Sequence, residues 1–135
     1  MKRDLHFDAF YPHPPEKVWS ALTRSEAIAR WLMENDFEPR VGHRFQLRAK
    51  PQPGWDGIVN CEVLELDPPR RMSWSWKSNV PVDTVLTITL TPEADGTRLH
   101  LAHTGFQGVK GIMVSYILGS GWKGIVSKGI PAAIQ

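Results

Sequence analysis

The chain is short of several residue types that commonly mark a chemistry. It has one cysteine, Cys61, in 135 residues, so an internal disulfide and a thiolate zinc cluster are both excluded. Charge of one sign is lacking too. Sixteen Lys and Arg face fourteen Asp and Glu, a formal net charge of +2, which argues against an acidic tail, a polybasic nucleic-acid arm or a disordered polyelectrolyte. Long apolar runs are missing. The longest, Ile112 to Leu118, is interrupted by Ser115 and falls far short of the roughly 20 residues that cross a bilayer. Met1-Lys2-Arg3-Asp4 leads into a strand pattern and not into a secretory apolar stretch. These features predict a cytoplasmic, reducing-compartment protein that engages neither membrane nor nucleic acid. At this length one domain over residues 1–135 is expected, able to bury about two thirds of its unfolded surface.

Two residue types are concentrated. Six Trp is a heavy load, and such rings either fill a core or line a pocket. Seven of the eleven Gly lie between Gly105 and Gly129, so the C-terminal quarter is built differently from the rest.

Hydrophobic periodicity places the elements. Leu5, Phe7, Ala9 and Tyr11 alternate with polar neighbours, a strand that Pro12-His13-Pro14-Pro15 ends. Val18, Trp19 and Leu22, then Ala27, Ile28, Trp31 and Leu32, mark two short helices, the second with Ser25 as its expected N-cap. From Phe45 to His103 period two returns in five runs separated by turns, including Pro51-Gln52-Pro53-Gly54 and Asp95-Gly96. Such a series predicts an antiparallel sheet with one apolar face. Leu118, Trp122, Ile125 and Val126 then stand at helical spacing on the one segment long enough to cover that face. The expected fold is α+β of the helix-grip type, about six strands in the order β-α-α-β-β-β-β-β-α, curved around a long C-terminal helix.

Candidate chemistry is sparse. None of the five His pairs at helical i, i+4 spacing, no Gly-x-Ser-x-Gly elbow occurs, and Cys61 lies on a buried face between Val59 and Val63. The glycines from Gly105 to Gly111 do not match a phosphate loop. Hence no catalytic residue, metal ligand or cofactor is assigned. His103, inward with Leu99 and Leu101, is the one polar group placed to touch a ligand. Phe45, Trp74, Trp76 and Trp122 are expected to point between sheet and helix, with Trp55 at a turn nearby and Leu86 and Val126 completing the lining. The helix glycines imply either close backbone packing or unfilled space.

The run Pro14-Pro15-Glu16-Lys17-Val18-Trp19 with Ala21-Leu22-Thr23 resembles the opening of START-like, SRPBCC-superfamily (Bet v 1-like) proteins. More narrowly, it resembles homologues of the activator of heat-shock protein 90 ATPase. Trp31-Leu32, Val41-Gly42, Gly57, Pro68-Pro69-Arg70, Gly96-Thr97-Arg98-Leu99, His103-Thr104-Gly105-Phe106 and Gly121-Trp122 follow in the family's order. The resemblance implies a helix-grip fold with a cavity between sheet and long helix. Departing from that pattern, Ser127-Lys128-Gly129-Ile130-Pro131 is expected to kink or stop the helix and shorten the lid.

Two functions of different class follow. The first is binding of a small hydrophobic or aromatic ligand by Phe45, Trp55, Trp74, Trp76, Leu86, His103, Trp122 and Val126, without catalysis. The second is a co-chaperone-like or stress-response interaction module, monomeric or homodimeric, whose partner is a chaperone or other protein. A filled interior beside a contiguous exposed apolar patch favours the second. A polyketide cyclase-like enzyme ranks third, because the inward positions supply only His103 and Tyr11 as acid or base.

Overall fold

The computed structural model describes residues 1–134. Its elements run β1 (Lys2–Tyr11), α1 (Pro15–Thr23), α2 (Ser25–Trp31), β2 (Glu34–Asn35), β3 (Arg44–Arg48), β4 (Ile58–Asp67), β5 (Arg71–Ser78), β6 (Val82–Glu93), β7 (Gly96–Gln107) and α3 (Gly108–Gly124). A π-helical turn (Ile125–Gly129) and a short α4 (Ile130–Ala133) finish the chain. The strands form one antiparallel sheet in the order β1-β7-β6-β5-β4-β3-β2. The expected α+β helix-grip architecture is therefore present, with seven strands in place of about six. The extra one, β2, pairs Glu34 with Arg48 and Asn35 with Leu47. Two residues are too few to show a period.

Alternation decides the faces. In β6 the buried Val82, Thr84, Leu86, Ile88 and Leu90 all point one way, and Leu99, Leu101 and His103 of β7 share that face. Because β1 pairs with β7, the helices that follow each strand are brought to the same side. There α3 packs on β1 and β7, and α2 on α4. Gly57 closes the turn before β4 at φ +83°, and a Cβ there would strike the Ala49 carbonyl oxygen, so only glycine fits.

Two local expectations change. Ser25 is not the cap of α2 but its first helical residue; its hydroxyl donates to the Asn35 carbonyl oxygen (3.0 Å), tying the helix to β2. Nor does Pro131 shorten the long helix, which runs on through the π turn to Ala133, with Ile130 and Ala133 buried. In a π turn the amide of residue i+5 serves the carbonyl of residue i. The group opposite Val126 O is then the Pro131 nitrogen, which has no proton. The Tyr11 hydroxyl supplies the missing donor at 2.6 Å.

Candidate functional site

Seven of the eight residues expected to line a ligand site come together inside the molecule. Phe45, Trp74, Trp76, Leu86, Trp122 and Val126 belong to one buried hydrophobic cluster, His103 is buried against Trp76 and Trp122, and Trp55 packs half-buried at the cluster's edge. None of the seven is more than 5% exposed. A chamber wide enough for a ligand would leave its walls open to a water-sized sphere, so this interior is filled. Trp76 touches His103 and Trp122 at ring-centroid distances of 4.9 and 5.7 Å, and Phe106 lies 4.6 Å from His103. Phe106 and Thr84 thus belong to the same cluster, although periodicity alone did not single them out.

His103 is fully used. The Trp122 indole N–H donates to Nδ1 at 3.0 Å, and an indole nitrogen can only donate. The imidazole proton therefore sits on Nε2, which donates to Thr84 Oγ1 at 2.7 Å, and that hydroxyl donates onward to the Trp76 carbonyl oxygen at 3.2 Å. Burial lowers the His103 pKa to about 3, so the ring is neutral across the physiological range. Tyr11, the other inward candidate, is committed to Val126, and burial raises its pKa. Burial raises the Cys61 thiol as well, which leaves it protonated and poorly nucleophilic.

One polar atom stands out. Trp74 Nε1 is buried and has no hydrogen-bond partner among the described residues, within a cage where Phe37 and Phe45 lie 5.5 and 5.1 Å from its ring. At the far end of the sheet a recess of about 130 Å³ opens between Val82–Thr84, Gly105–Gln107 and Gly111. Thr84 and Phe106 separate it from His103. Gly105 and Gly108 flank this segment at φ +101° and +75°, conformations that suit glycine.

The polar face of the sheet carries a second, open groove of about 480 Å³ along β3, β4 and β5, lined by Asp36, Arg44, Gln46, Asn60, Glu62 and Lys77 among others. Its groups answer one another: Arg44 pairs with Glu62 (3.4 Å), and Gln46 donates to Asn60 (3.1 Å). Both signs are present, a pattern unlike a phosphate-backbone footprint. His6 and His100 stack on the exposed sheet face with a 3.1 Å contact between their ring nitrogens, and His100 meets Asp8 at 3.0 Å. No cluster of three or more His, Cys, Asp or Glu able to hold a metal occurs among the described residues, nor does any helix long and apolar enough to cross a membrane.

The least expected surface is on α3. Gly111, Ser115, Gly119 and Trp122 face the sheet, and a Cβ on Gly119 would lie 3.5 Å from Leu5. Four bulky side chains point away: Val109, Met113, Tyr116 and Ile117 are 68, 62, 63 and 72% exposed, while Val114 and Leu118 pack partly buried against the core. Small residues let the backbone approach β1 closely, and that approach turns these four outward. Arg3 lies 3.8 Å over the Tyr116 ring, anchoring one flank of the patch. The pattern that reveals this face is the small-residue spacing at 111, 115 and 119, not the apolar content.

A family model described as "Activator of Hsp90 ATPase homolog 1-like protein" matches residues 12–131. Protein MLL2253 from Mesorhizobium loti is 34% identical, superposes with a TM-score of 0.86, and the match covers 97% of this chain and 96% of that one. Protein BH1534 from Bacillus halodurans is 26% identical over the whole of both chains, with a TM-score of 0.81. A structure described as the Aha1 dimer from Colwellia psychrerythraea shares the fold at 17% identity and a TM-score of 0.81, over 98% of this chain and 96% of that one. No curated protein matches the sequence significantly.

Proposed function

This chain belongs to the Activator of Hsp90 ATPase homolog 1-like family and carries a helix-grip ligand-binding fold; from that premise we propose that it works as a co-chaperone-like protein-interaction module, with the outer face of α3 as its contact surface. One observation carries the reading. The interior is filled, while Val109, Met113, Tyr116 and Ile117 form a contiguous apolar patch on one helix. Patches of this kind on otherwise well-packed proteins mark interaction sites. The family's own description, which names an activator of a chaperone ATPase, supports a chaperone or a chaperone-bound protein as partner. Both binders and cyclase-like proteins use this fold, and the reading here is non-catalytic, since His103 and Tyr11 spend their polar atoms on Thr84, Trp122 and Val126.

The test is site-specific photo-crosslinking in cells. A benzoylphenylalanine at position 113 or 117 is expected to give protein adducts of defined mass, whereas one at Thr87, on the outer sheet face, gives none. Equal yields at all three positions, or no adduct at any, would overturn the proposal.

A second reading is supported by Trp74. A buried indole N–H without an acceptor is costly, about 1–3 kcal/mol, and an apolar ligand carrying one hydrogen-bond acceptor would relieve that cost. In this reading Phe45, Trp55, Trp74, Trp76, Leu86, His103, Trp122 and Val126 line a site that a small aromatic molecule opens by moving Phe106 away from the recess at Thr84. Native mass spectrometry of freshly purified protein, before and after denaturation, examines it. An extra mass of a few hundred daltons lost on unfolding supports the site; a clean mass, together with no thermal shift across a library of aromatic compounds, rejects it.

A further inference from the structure

We propose that His6 and His100, on the polar face of the sheet, hold a divalent transition-metal ion between β1 and β7, with Asp8 positioning the second imidazole. The site is separate from both the α3 patch and the aromatic interior. Period two puts Asp4, His6 and Asp8 on the outer face of β1 and His100 on the outer face of β7. Asp8 is the cross-strand partner of His100, and His6 stands one diagonal step away, opposite Ala102. Long side chains reach across such a diagonal, and here His6 Nδ1 comes to 3.1 Å from His100 Nε2.

Asp8 settles which nitrogen is free. Its carboxylate oxygen lies 3.0 Å from His100 Nδ1, so that nitrogen carries the proton and Nε2 keeps its lone pair. A carboxylate behind a ligating imidazole is the usual outer partner of a bound metal ion, fixing tautomer and ring orientation. The proton on His6 Nδ1 bridges the two rings. For an ion to enter, that proton moves through water to His6 Nε2, which is possible because the residue is exposed. The ion then takes both lone pairs; the rings stay neutral and no proton is lost. Two nitrogens bound at about 2.0–2.1 Å lie about 2.9 Å apart at a right angle and about 3.3 Å apart in a tetrahedron. The observed 3.1 Å falls between, so small turns of the rings about Cβ–Cγ suffice and the backbone need not move.

The surrounding charge suits a cation. Asp4 and Asp8 flank His6 along β1, and Arg98, two residues from His100, is held by both carboxylate oxygens of Glu93 at 2.7 and 3.2 Å. Two imidazoles with water in the remaining positions suit Cu²⁺, Ni²⁺ or Zn²⁺, with Cu²⁺ bound most tightly. The two ligands are 94 positions apart in sequence and meet only when β1 pairs with β7, so the ion favours the folded chain.

Calorimetric titration with CuCl₂, joined to thermal unfolding with and without the ion, tests the site, and circular dichroism checks folding. Wild type is expected to bind one Cu²⁺ ion and to melt higher in its presence. His6→Gln and His100→Gln each remove one ligand from the outer sheet face. Each is expected to keep the fold, to weaken binding at least about tenfold and to lose the rise in melting temperature. Asp8→Asn is expected to weaken binding about 10–100-fold. His13→Gln, in the turn after β1, should leave binding as it is. A wild type that binds no Cu²⁺ at about 100 µM overturns the inference. So does binding that survives both substitutions at positions 6 and 100, or that His13→Gln abolishes, since either result means an adventitious ion only. An Asp8→Asn variant as tight as wild type would overturn the role given to Asp8.

Discussion

At the centre of the core, His103 has one arrangement open to it. Its Nδ1 accepts from Trp122 and its Nε2 donates to Thr84, so protonating Nδ1 would set two donors against each other. The folded pKa, lowered to about 3, lies below the ordinary value of 6.5. Between those limits the unfolded chain takes up a proton that the folded chain refuses, and stability therefore falls as pH falls. The expected contribution is up to about 1.4 kcal/mol per pH unit through that window. Urea titrations between pH 7 and pH 4 should show His103→Gln less stable at pH 7 but with a flatter acid slope; an unchanged slope would disprove the assignment. Tyr11 makes a second prediction. Tyr11→Phe strands the Val126 carbonyl and should cost about 1–3 kcal/mol. Pro131→Ala restores a backbone N–H to the same turn, so in the double variant the loss from Tyr11→Phe should shrink. Strict additivity in a double-mutant cycle would show that the two groups do not serve one carbonyl.

Within α3, glycine has two opposite uses, and substitution should separate them. Gly119 faces Leu5 at van der Waals distance, whereas Gly121 faces open space. Gly121→Ala should stabilise by up to about 1 kcal/mol through helix propensity alone. Gly119→Leu wedges the helix off β1 and should cost about 1–3 kcal/mol. Thermal unfolding of the two variants decides it, and shifts of the same sign would show that the inward and outward faces are wrongly assigned. At this scale most of the molecule was legible in the sequence. Alternation named the inward residues of β5, β6 and β7, and Phe45, Trp74, Trp76, Leu86, His103, Trp122 and Val126 do converge. The two-residue β2 was not legible, because it exists only through its pairing with Arg48 and Leu47. Pro131 misled as a helix stop, since the donor that rescues its turn comes from Tyr11, far away in sequence.

Taken whole, the molecule combines a filled interior with an exposed apolar helix face. In differential scanning fluorimetry, Ile117→Lys on that face should stay within about 0.5 kcal/mol of wild type in stability, while weakening the adducts formed from position 113. A loss of stability well beyond that would contradict an open apolar face.

The sequence by itself determined the sheet, its apolar face, the covering helix and the family, because period-two and helical spacing are local properties that each segment carries alone. The tertiary structure decided whether the aromatic interior is full, which tautomer His103 holds, and which way α3 turns its large side chains. Those outcomes depend on how closely two surfaces approach. The approach of α3 to β1 is set by Gly111, Ser115 and Gly119 acting against Leu5 and Phe106, residues more than a hundred positions from Leu5 or only a few from Phe106 in the chain and brought into contact only by the closed fold.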